Sequence, residues 1–313
     1  MKIINFMKHK VLITAKSSPD LDGVACALAY SSYLEQVNKK DTYFPGFEGD
    51  IQVEVKYALK LVNAEVPRIK NNKFSSFILV DTSSTKGLPK VVVNKRVVEL
   101  VDHRSGGIEY ESFPNAKAQI ELVGAAATLI AEKYYFNNIE LNEKNAMLLY
   151  LAIFSNTLNL KASVTTYRDI RIIKWIEGKY SRFTKEIVKS MLNNKTRVIS
   201  NNLEFALNSD SKQIVMGGKS VGVYQLEVNG IHGLIPDKIK EIQRIMSSDK
   251  SIDWAFCTIA DMDSGRNILL STDNKYNPKL QAVLGALDKK DYLITKELFL
   301  RKEIVPKLRV VFD

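Results

Sequence analysis

The sequence predicts an α/β protein, with a parallel-sheet N-terminal domain flanked by helices and a smaller α/β C-terminal domain built on a mixed sheet. Three observations predict it. Apolar runs of strand length alternate with stretches of helical spacing through the first part of the chain. Shorter apolar runs separated by glycine-bearing turns dominate the remainder. A length of 313 residues exceeds what one hydrophobic core usually organises. Residues 1–193 are expected to form the first domain, 194–202 a polar linker and 203–313 the second domain.

Taken in order, Val11-Leu12-Ile13 reads as a buried strand that breaks at Ser17-Ser18-Pro19. From Gly23 to about residue 38, the small and apolar Ala25, Ala27, Leu28 and Ala29 predict a helix packed closely on that strand. A polar turn, NKKDTYFPGFEGD, precedes the helical stretch VEVKYALKLVNA. Phe77-Ile78-Leu79-Val80 and Val97-Val98-Glu99-Leu100-Val101 are the next strands. GAAATLIAEKYYF (124–136) and EKNAMLLYLAIFS (143–155) have helical spacing, and Asn156-Thr157-Leu158-Asn159 interrupts the second. VTTYRDIRIIKWIEG starts another helix, with Thr165 or Thr166 as cap and Asp169 in its first turn. FTKEIVKSMLNN closes the first domain. In the second, KQIVMGGKSVGVYQLE carries a hairpin signal at Gly217-Gly218. IPDKIKEIQRIMSSD reads as a helix, and WAFCTIADMDSGRNILLST as two strands joined by Asp263-Ser264-Gly265-Arg266. LQAVLGAL ends the pattern.

Hydrophobic residues make up 45% of the chain and charged residues 26%, the balance of a folded soluble protein rather than a disordered one. No apolar run reaches the roughly 20 residues that cross a bilayer. The opening MKIINFMKHK lacks the long apolar region of a secretory signal, so the reading expects a cytoplasmic protein without membrane attachment. Cys26 and Cys257 match no zinc or redox spacing and are expected as buried thiols. The net charge of +10 admits an anionic partner without naming it. Basic residues form no concentrated run and no aromatic platform, so nucleic acid is not expected.

Strand, acidic loop and helix in succession make a ligand site in an open parallel sheet, because the loops at the carboxyl ends of the strands stand over the crevice. The first strand leads to Asp20 and Asp22, the second to Asp81, and the third to Asp102, His103 and Arg104. One strand ending in aspartate is ordinary, since aspartate caps helices and starts turns. Three are harder to dismiss. Carboxylates gathered in one crevice repel each other unless cations compensate them, and oxygen ligands with an imidazole suit Mn²⁺ or Mg²⁺.

PDLDG, VDTSS and VDHR, in this order and at this spacing, resemble the three leading motifs of the DHH phosphoesterase superfamily. Within it the chain is most similar to the manganese-dependent family II inorganic pyrophosphatases and the exopolyphosphatases. LAIFSNTLNLKASVTTYRD (151–169), DSKQIVMGG (210–218) and LRKEIVP (300–306) extend the resemblance over nearly the whole chain. It implies an active-site cleft between two domains and one or two divalent ions, Mn²⁺ or else Mg²⁺ or Co²⁺. The implied reaction is hydrolysis of a phosphoanhydride in a small anion such as pyrophosphate or short polyphosphate. On this resemblance Asp20, Asp22, Asp81 and His103 fall on metal-ligand positions, with Asp81 bridging. Asp22, Asp81 and Asp102 form the catalytic set, Asp102 orienting His103, and Lys212, Arg301 and Lys302 hold phosphate, the last two in a substrate loop. A homodimer through the edge of the first sheet is implied by analogy with bacterial members.

Three positions depart from the pattern. Lys16 stands where the family has its first histidine ligand, Arg104 replaces the second histidine of the name motif, and Asn156 replaces an aspartate. Lysine supplies a fixed positive charge in place of a ligand, arginine a contact suited to phosphate, and asparagine a weaker, neutral oxygen. Lys16 and Arg104 therefore join the phosphate-binding set, Asn156 is a weak member of the ligand set, and the metal site is expected to be rewired. One alternative function is a binding protein for a phosphorylated ligand or nucleotide, without turnover. Another is an oligonucleotide or cyclic dinucleotide phosphodiesterase, whose glycine-rich GGGH signature this chain lacks. His232 reads as a loop or capping residue, and DMDSGR as a hairpin turn rather than a calcium loop.

Overall fold

The apolar run at Val11 forms strand β1 (Lys10–Thr14), whose last four residues are buried. This computed structural model describes residues 9–69, 73–104, 109–231 and 237–312. Internal contacts distinguish two units, residues 1–157 with 164–188, and residues 158–163 with 189–313.

In the first unit β1 is followed by α1 (Leu21–Val37), β2 (Thr42–Pro45), α2 (Val53–Leu61), β3 (Ser76–Val80), β4 (Val97–Asp102) and β5 (Lys117–Ile120). Helices α3 (Ala126–Asn137), α4 (Glu143–Asn156) and α5 (Tyr167–Lys179) complete it. The strands form one parallel sheet in the order β2-β1-β3-β4-β5. The chain leaves β1 toward β2 and returns past it to β3, so the strand order reverses between β1 and β3. Loops that part in opposite directions at such a switch point open a crevice over the strand ends. Asp20 and Asp81 stand on those loops, and Asp22 follows in the first turn of α1.

Helix α1 reaches the sheet through small side chains. Gly23, Ala25, Cys26, Ala27 and Ala29 are buried, and a Cβ on Gly23 would stand 2.7 Å from the Ala15 Cβ. Gly23→Ala is expected to destabilise the protein by about 1–3 kcal/mol, the usual range for overpacking. A lowered urea midpoint would report it, and an unchanged midpoint contradicts the packing described. Helix α4 is buried from Asn145 to Phe154 and packs on α1 and α3. A helix apolar on every side has to sit inside.

The edge strands β2 and β5 lie in segments that the sequence reads as a turn or leaves unassigned. TYFP carries a proline at its end and KAQI has no buried residue, so neither shows the apolar run that marks β1, β3 and β4.

The rest of the chain forms α6 (Lys185–Asn201), α7 (Leu203–Ser209), β6 (Ser211–Met216), β7 (Lys219–Val228), α8 (Ile239–Met246), β8 (Trp254–Asp261) and β9 (Arg266–Ser271). After these come α9 (Asn277–Leu284), β10 (Leu287–Lys289), β11 (Tyr292–Ile294) and α10 (Arg301–Phe312). The six strands run β10-β11-β9-β8-β7-β6, with β7 and β8 parallel and the other neighbours antiparallel. Side chains alternate between two cores. Tyr224, Leu226, Cys257, Ile259 and Leu270 pack with α7 and α8 on one face, while Val223, Trp254, Phe256 and Leu269 pack with α9 and α10 on the other. The period of two thus covers both faces of the sheet. Gly217 and Gly218, at φ +56° and +70°, make the expected two-residue turn between β6 and β7. DMDSGR is the expected hairpin turn, because buried Asp261 spends its carboxylate on the Gly230 and Asp263 N–H groups and the Ser264 hydroxyl.

Two expectations are corrected. Residues 194–201 are helix rather than linker: α6 continues to Asn201 because Leu192 is buried, Ile199 packs on a core of the second unit and Lys195 pairs with Glu227 at 2.8 Å. The division between the units falls inside α6, after Val188. LRKEIVP is the start of α10 rather than a loop. The Leu300 N–H donates to the Glu303 carboxylate at 2.7 Å, the reach-back bond that opens helices, and Ile304 and Leu308 are buried. Cys26 and Cys257 are free and buried. Among the described residues no helix is long and apolar enough to cross a membrane. His232 lies outside the described residues.

Candidate metal centre

The ends of β1, β3 and β4 bring Lys16, Asp20, Asp22, Asp81, His103 and Arg104 into one cluster, which Asn156 joins from the last turn of α4. Asp81 follows β3 directly and holds a left-handed backbone, φ +54°. Such a conformation costs a non-glycine residue on the order of 1 kcal/mol or more and persists where its surroundings impose it. Here the Asp81 N–H is bound to the Val101 carbonyl at 2.8 Å. Its fully buried side chain accepts from Arg104 Nη2 at 3.0 Å through Oδ1, which also lies 3.4 Å from His103 Nε2. Oδ2 is buried without a hydrogen-bond partner. A buried polar atom left unpaired costs about 1–3 kcal/mol, and an open coordination position accounts for it.

Asp22 lies in the first turn of α1 and serves another helix. Its Oδ1 accepts the Ala127 N–H at 2.7 Å, and its Oδ2 accepts the Ala126 N–H at 2.8 Å and Asn156 Nδ2 at 2.7 Å. Ala125, at the cap position of α3, has no side-chain oxygen to do this. The His103 ring is fixed from its far side, where Nδ1 stands 3.0 Å from the Val123 carbonyl. Nδ1 therefore carries a proton and Nε2 faces the carboxylates, the orientation that a ligating imidazole takes. One ligand atom each from Asp22, Asp81 and His103 lies within 4.8 Å of the others. This set and the orphaned Asp81 oxygen fit one divalent cation.

The same crowding shifts protonation. Burial and the charge of Asp81 push Asp22 up to about 7. Burial and the charge of Asp20 push Asp81 up as well. Burial alone would lower His103, but its bond to Asp81 and the two facing carboxylates outweigh it and raise it to about 9. The folded chain thus holds more protons here than the unfolded chain. Asp22 loses its stabilising contribution as pH rises through about 4 to 7, and His103 as pH rises through about 6.5 to 9. Metal-free protein is expected to melt at a lower temperature near pH 8 than near pH 6, and a divalent cation, which displaces those protons, to narrow the difference. A metal-free melting temperature that rises over this interval contradicts the assignment.

The other expected site residues have partners of their own. Asp20 is engaged elsewhere: Oδ1 caps α1 by accepting the Gly23 N–H at 3.1 Å, and Oδ2 accepts Lys16 Nζ at 3.1 Å. Burial would raise its carboxyl, but the Lys16 ammonium holds it below the ordinary value. Asn156 meets the cluster through its Nδ2, which faces Asp22, His103 Nε2 at 3.3 Å and the Gly124 carbonyl at 3.3 Å. Asp102 touches the His103 backbone N–H at 2.7 Å and the Ser83 hydroxyl at 2.6 Å, whereas the ring is oriented by Val123. Ser83 was recoverable from VDTSS. Val123 was not, because it acts through its carbonyl and leaves no mark on residue type.

Lys16 and Arg104 border the cluster with side chains 33% and 44% exposed, so both keep a solvent side. The remaining candidates lie in the second unit. Lys212 is exposed on β6, Lys302 is exposed in the first turn of α10, and Arg301 beside it donates to the Asp210 carbonyl at 2.7 Å and carboxylate at 2.6 Å. The segments bearing Lys212 and Arg301 therefore meet at Asp210.

Fold and site define a parallel α/β domain with a buried acid–histidine cluster at its switch point. Residues 10–153 match the model of the DHH family, N-terminal domain. Over its length the chain is similar to the manganese-dependent inorganic pyrophosphatase of Methanothrix thermoacetophila, 24% identical over 312 residues that cover 98% of this chain and 99% of the other. It is also 24% identical over 306 residues to the manganese-dependent inorganic pyrophosphatase of Bacillus subtilis, covering 96% and 98%. The fold matches a solved Methanococcus jannaschii protein described as a family II inorganic pyrophosphatase, with a TM-score of 0.70 and 23% identity over 96% of this chain and 99% of that one.

Proposed function

We propose that this chain hydrolyses the phosphoanhydride bond of a small anion, pyrophosphate or short polyphosphate, with one divalent cation held by Asp22, Asp81 and His103. Mn²⁺ is the expected ion, with Mg²⁺ or Co²⁺ able to replace it. The observation that carries the reading is Asp81 Oδ2, buried and without a donor, in a carboxylate whose other oxygen lies 3.4 Å from His103 Nε2. The names of the Methanothrix and Bacillus relatives support both the ion and the substrate class.

A bound divalent cation supplies Lewis acidity toward a phosphoryl oxygen. The chain's own residues orient the anion. Arg104 uses Nη2 on Asp81 and keeps other N–H groups for phosphate oxygens, and Lys16 has ammonium donors beyond the one given to Asp20. Lys212, Arg301 and Lys302 are assigned to substrate phosphate on the resemblance, and the Asp210 pair leaves the Arg301 Nε–H outside its two bonds. The rewiring follows from charge: Lys16 occupies Asp20 with a fixed cation, so we expect one ion per chain.

Phosphate release from pyrophosphate with each metal tests the reading, and release no greater than that of an Asp81→Ala control removes it. Arg104→Ala is expected to raise the KM for pyrophosphate about tenfold or more, the worth of one charge-assisted hydrogen bond, with a smaller effect on kcat. Steady-state kinetics that show no change in KM contradict a substrate role for Arg104. A second reading, ligand binding without turnover, is favoured by the Lys16–Asp20 and Arg104–Asp81 pairs, which partly neutralise the carboxylates without any metal. Calorimetry discriminates, since tight pyrophosphate binding in the absence of phosphate release selects that reading.

A further inference from the structure

We infer that Asp169, which touches none of the candidate ligands, is a positioning residue that sets the geometry of the cation cluster through the backbone of residues 123–127. The inference rests on the metal reading above. Asp169 is fully buried in the first turn of α5. Its carboxylate accepts from the Thr166 N–H at 2.7 Å and hydroxyl at 2.6 Å, which close its own helix as a capping box. It also accepts from the Gly124 N–H at 2.9 Å and the Thr128 hydroxyl at 2.5 Å, groups 45 and 41 residues away at the start of α3.

That short stretch of backbone holds three members of the cluster. The Val123 carbonyl takes His103 Nδ1, the Gly124 carbonyl takes Asn156 Nδ2, and the Ala126 and Ala127 N–H groups take Asp22. Gly124 is bare where this anchor enters, since a Cβ there would stand 2.9 Å from Asp169 Oδ2. Capping α5 requires only the Thr166 bonds. Docking α5 on α3 is already provided by Arg168 and Arg171, both paired with buried Glu132 at 2.5 Å. The bonds from Asp169 to Gly124 and Thr128 are left with the task of fixing the 123–127 backbone. Groups that orient ligands from behind typically change metal affinity 10- to 100-fold when removed.

The test uses the full chain, Mn²⁺ as probe, and the variants Asp169→Asn and Thr166→Ala. Asp169→Asn turns an acceptor into a donor facing the Gly124 N–H. It is expected to weaken Mn²⁺ binding about 10- to 100-fold by calorimetry and to shift the His103 ring nitrogen signals in the metal-free protein. Thr166→Ala loses the capping hydroxyl of the same helix but keeps the bonds to Gly124 and Thr128, so its melting temperature falls while its Mn²⁺ affinity stays within about twofold. If Asp169→Asn does not fold, Thr128→Val, which removes a single donor, is expected to lose about tenfold in affinity and to shift the same signals. Wild-type Mn²⁺ affinity and unchanged His103 signals in the folded variant overturn the inference. A wild-type chain that binds no Mn²⁺ overturns the metal reading instead, and the His103 signals still decide whether Asp169 positions the ring.

Discussion

Asp81→Asn is expected to lower phosphate release from pyrophosphate at least about 100-fold and, in the same molecule, to raise the melting temperature of the metal-free protein. The activity loss follows from position. Removing a group that merely orients a ligand costs about 10- to 100-fold, and Asp81 offers a buried carboxylate oxygen that no hydrogen bond uses. The stability gain follows from charge. Burial and Asp20 penalise the ionised carboxylate, and asparagine removes that charge while tolerating the left-handed backbone at φ +54°. Functional sites commonly hold such unfavourable groups, and neutralising them stabilises the fold at the expense of activity. Phosphate release above one tenth of wild type, or a lowered metal-free melting temperature, contradicts this account of Asp81.

Asp22→Ala is expected to lose activity to a similar extent but to move stability the other way. Asp22 accepts two N–H groups at the start of α3 and the amide of Asn156. Alanine leaves those donors buried without an acceptor, at about 1–3 kcal/mol for each uncompensated group. Relief of the charge repulsion that raises the Asp22 carboxyl offsets part of this, so a net loss of about 1–3 kcal/mol is expected in urea denaturation. The two aspartates are thus separable by experiment. On the proposed function, one is a cation ligand that strains the fold, and the other is a cation ligand that also caps a helix. Equal stability changes of the same sign in the two variants would contradict that division.

Much of this was legible in the residues. The buried strands β1, β3 and β4 announced themselves as apolar runs, and each led to an acid that the fold brings into one cluster. The capping box of α5 and the Gly217-Gly218 turn were equally plain, because a side chain or a glycine carries the signal. What stayed hidden depends on backbone or on partners distant in sequence. Val123 acts through a carbonyl, and Ala126 and Ala127 through N–H groups, so no residue type marks them. Asp20 falls on a ligand position by the resemblance, and the Lys16 donor to its Oδ2 appears only in the folded chain. Asp169 read as an ordinary first-turn acid, and its bonds to Gly124 and Thr128 appear only once α3 and α5 are packed. The start of α10 was expected as a loop on the resemblance, whereas Ile304 and Leu308 bury one face of a helix there.

The most direct test is a calorimetric titration of metal-free wild-type and Asp81→Asn protein with Mn²⁺, with pyrophosphate hydrolysis followed at each Mn²⁺ concentration. The expected result is one Mn²⁺ per wild-type chain, no binding by Asp81→Asn, and phosphate release that rises in step with occupancy. Binding of Mn²⁺ that survives the loss of Asp81, or phosphate release that is indifferent to Mn²⁺, would contradict a cation held by Asp22, Asp81 and His103.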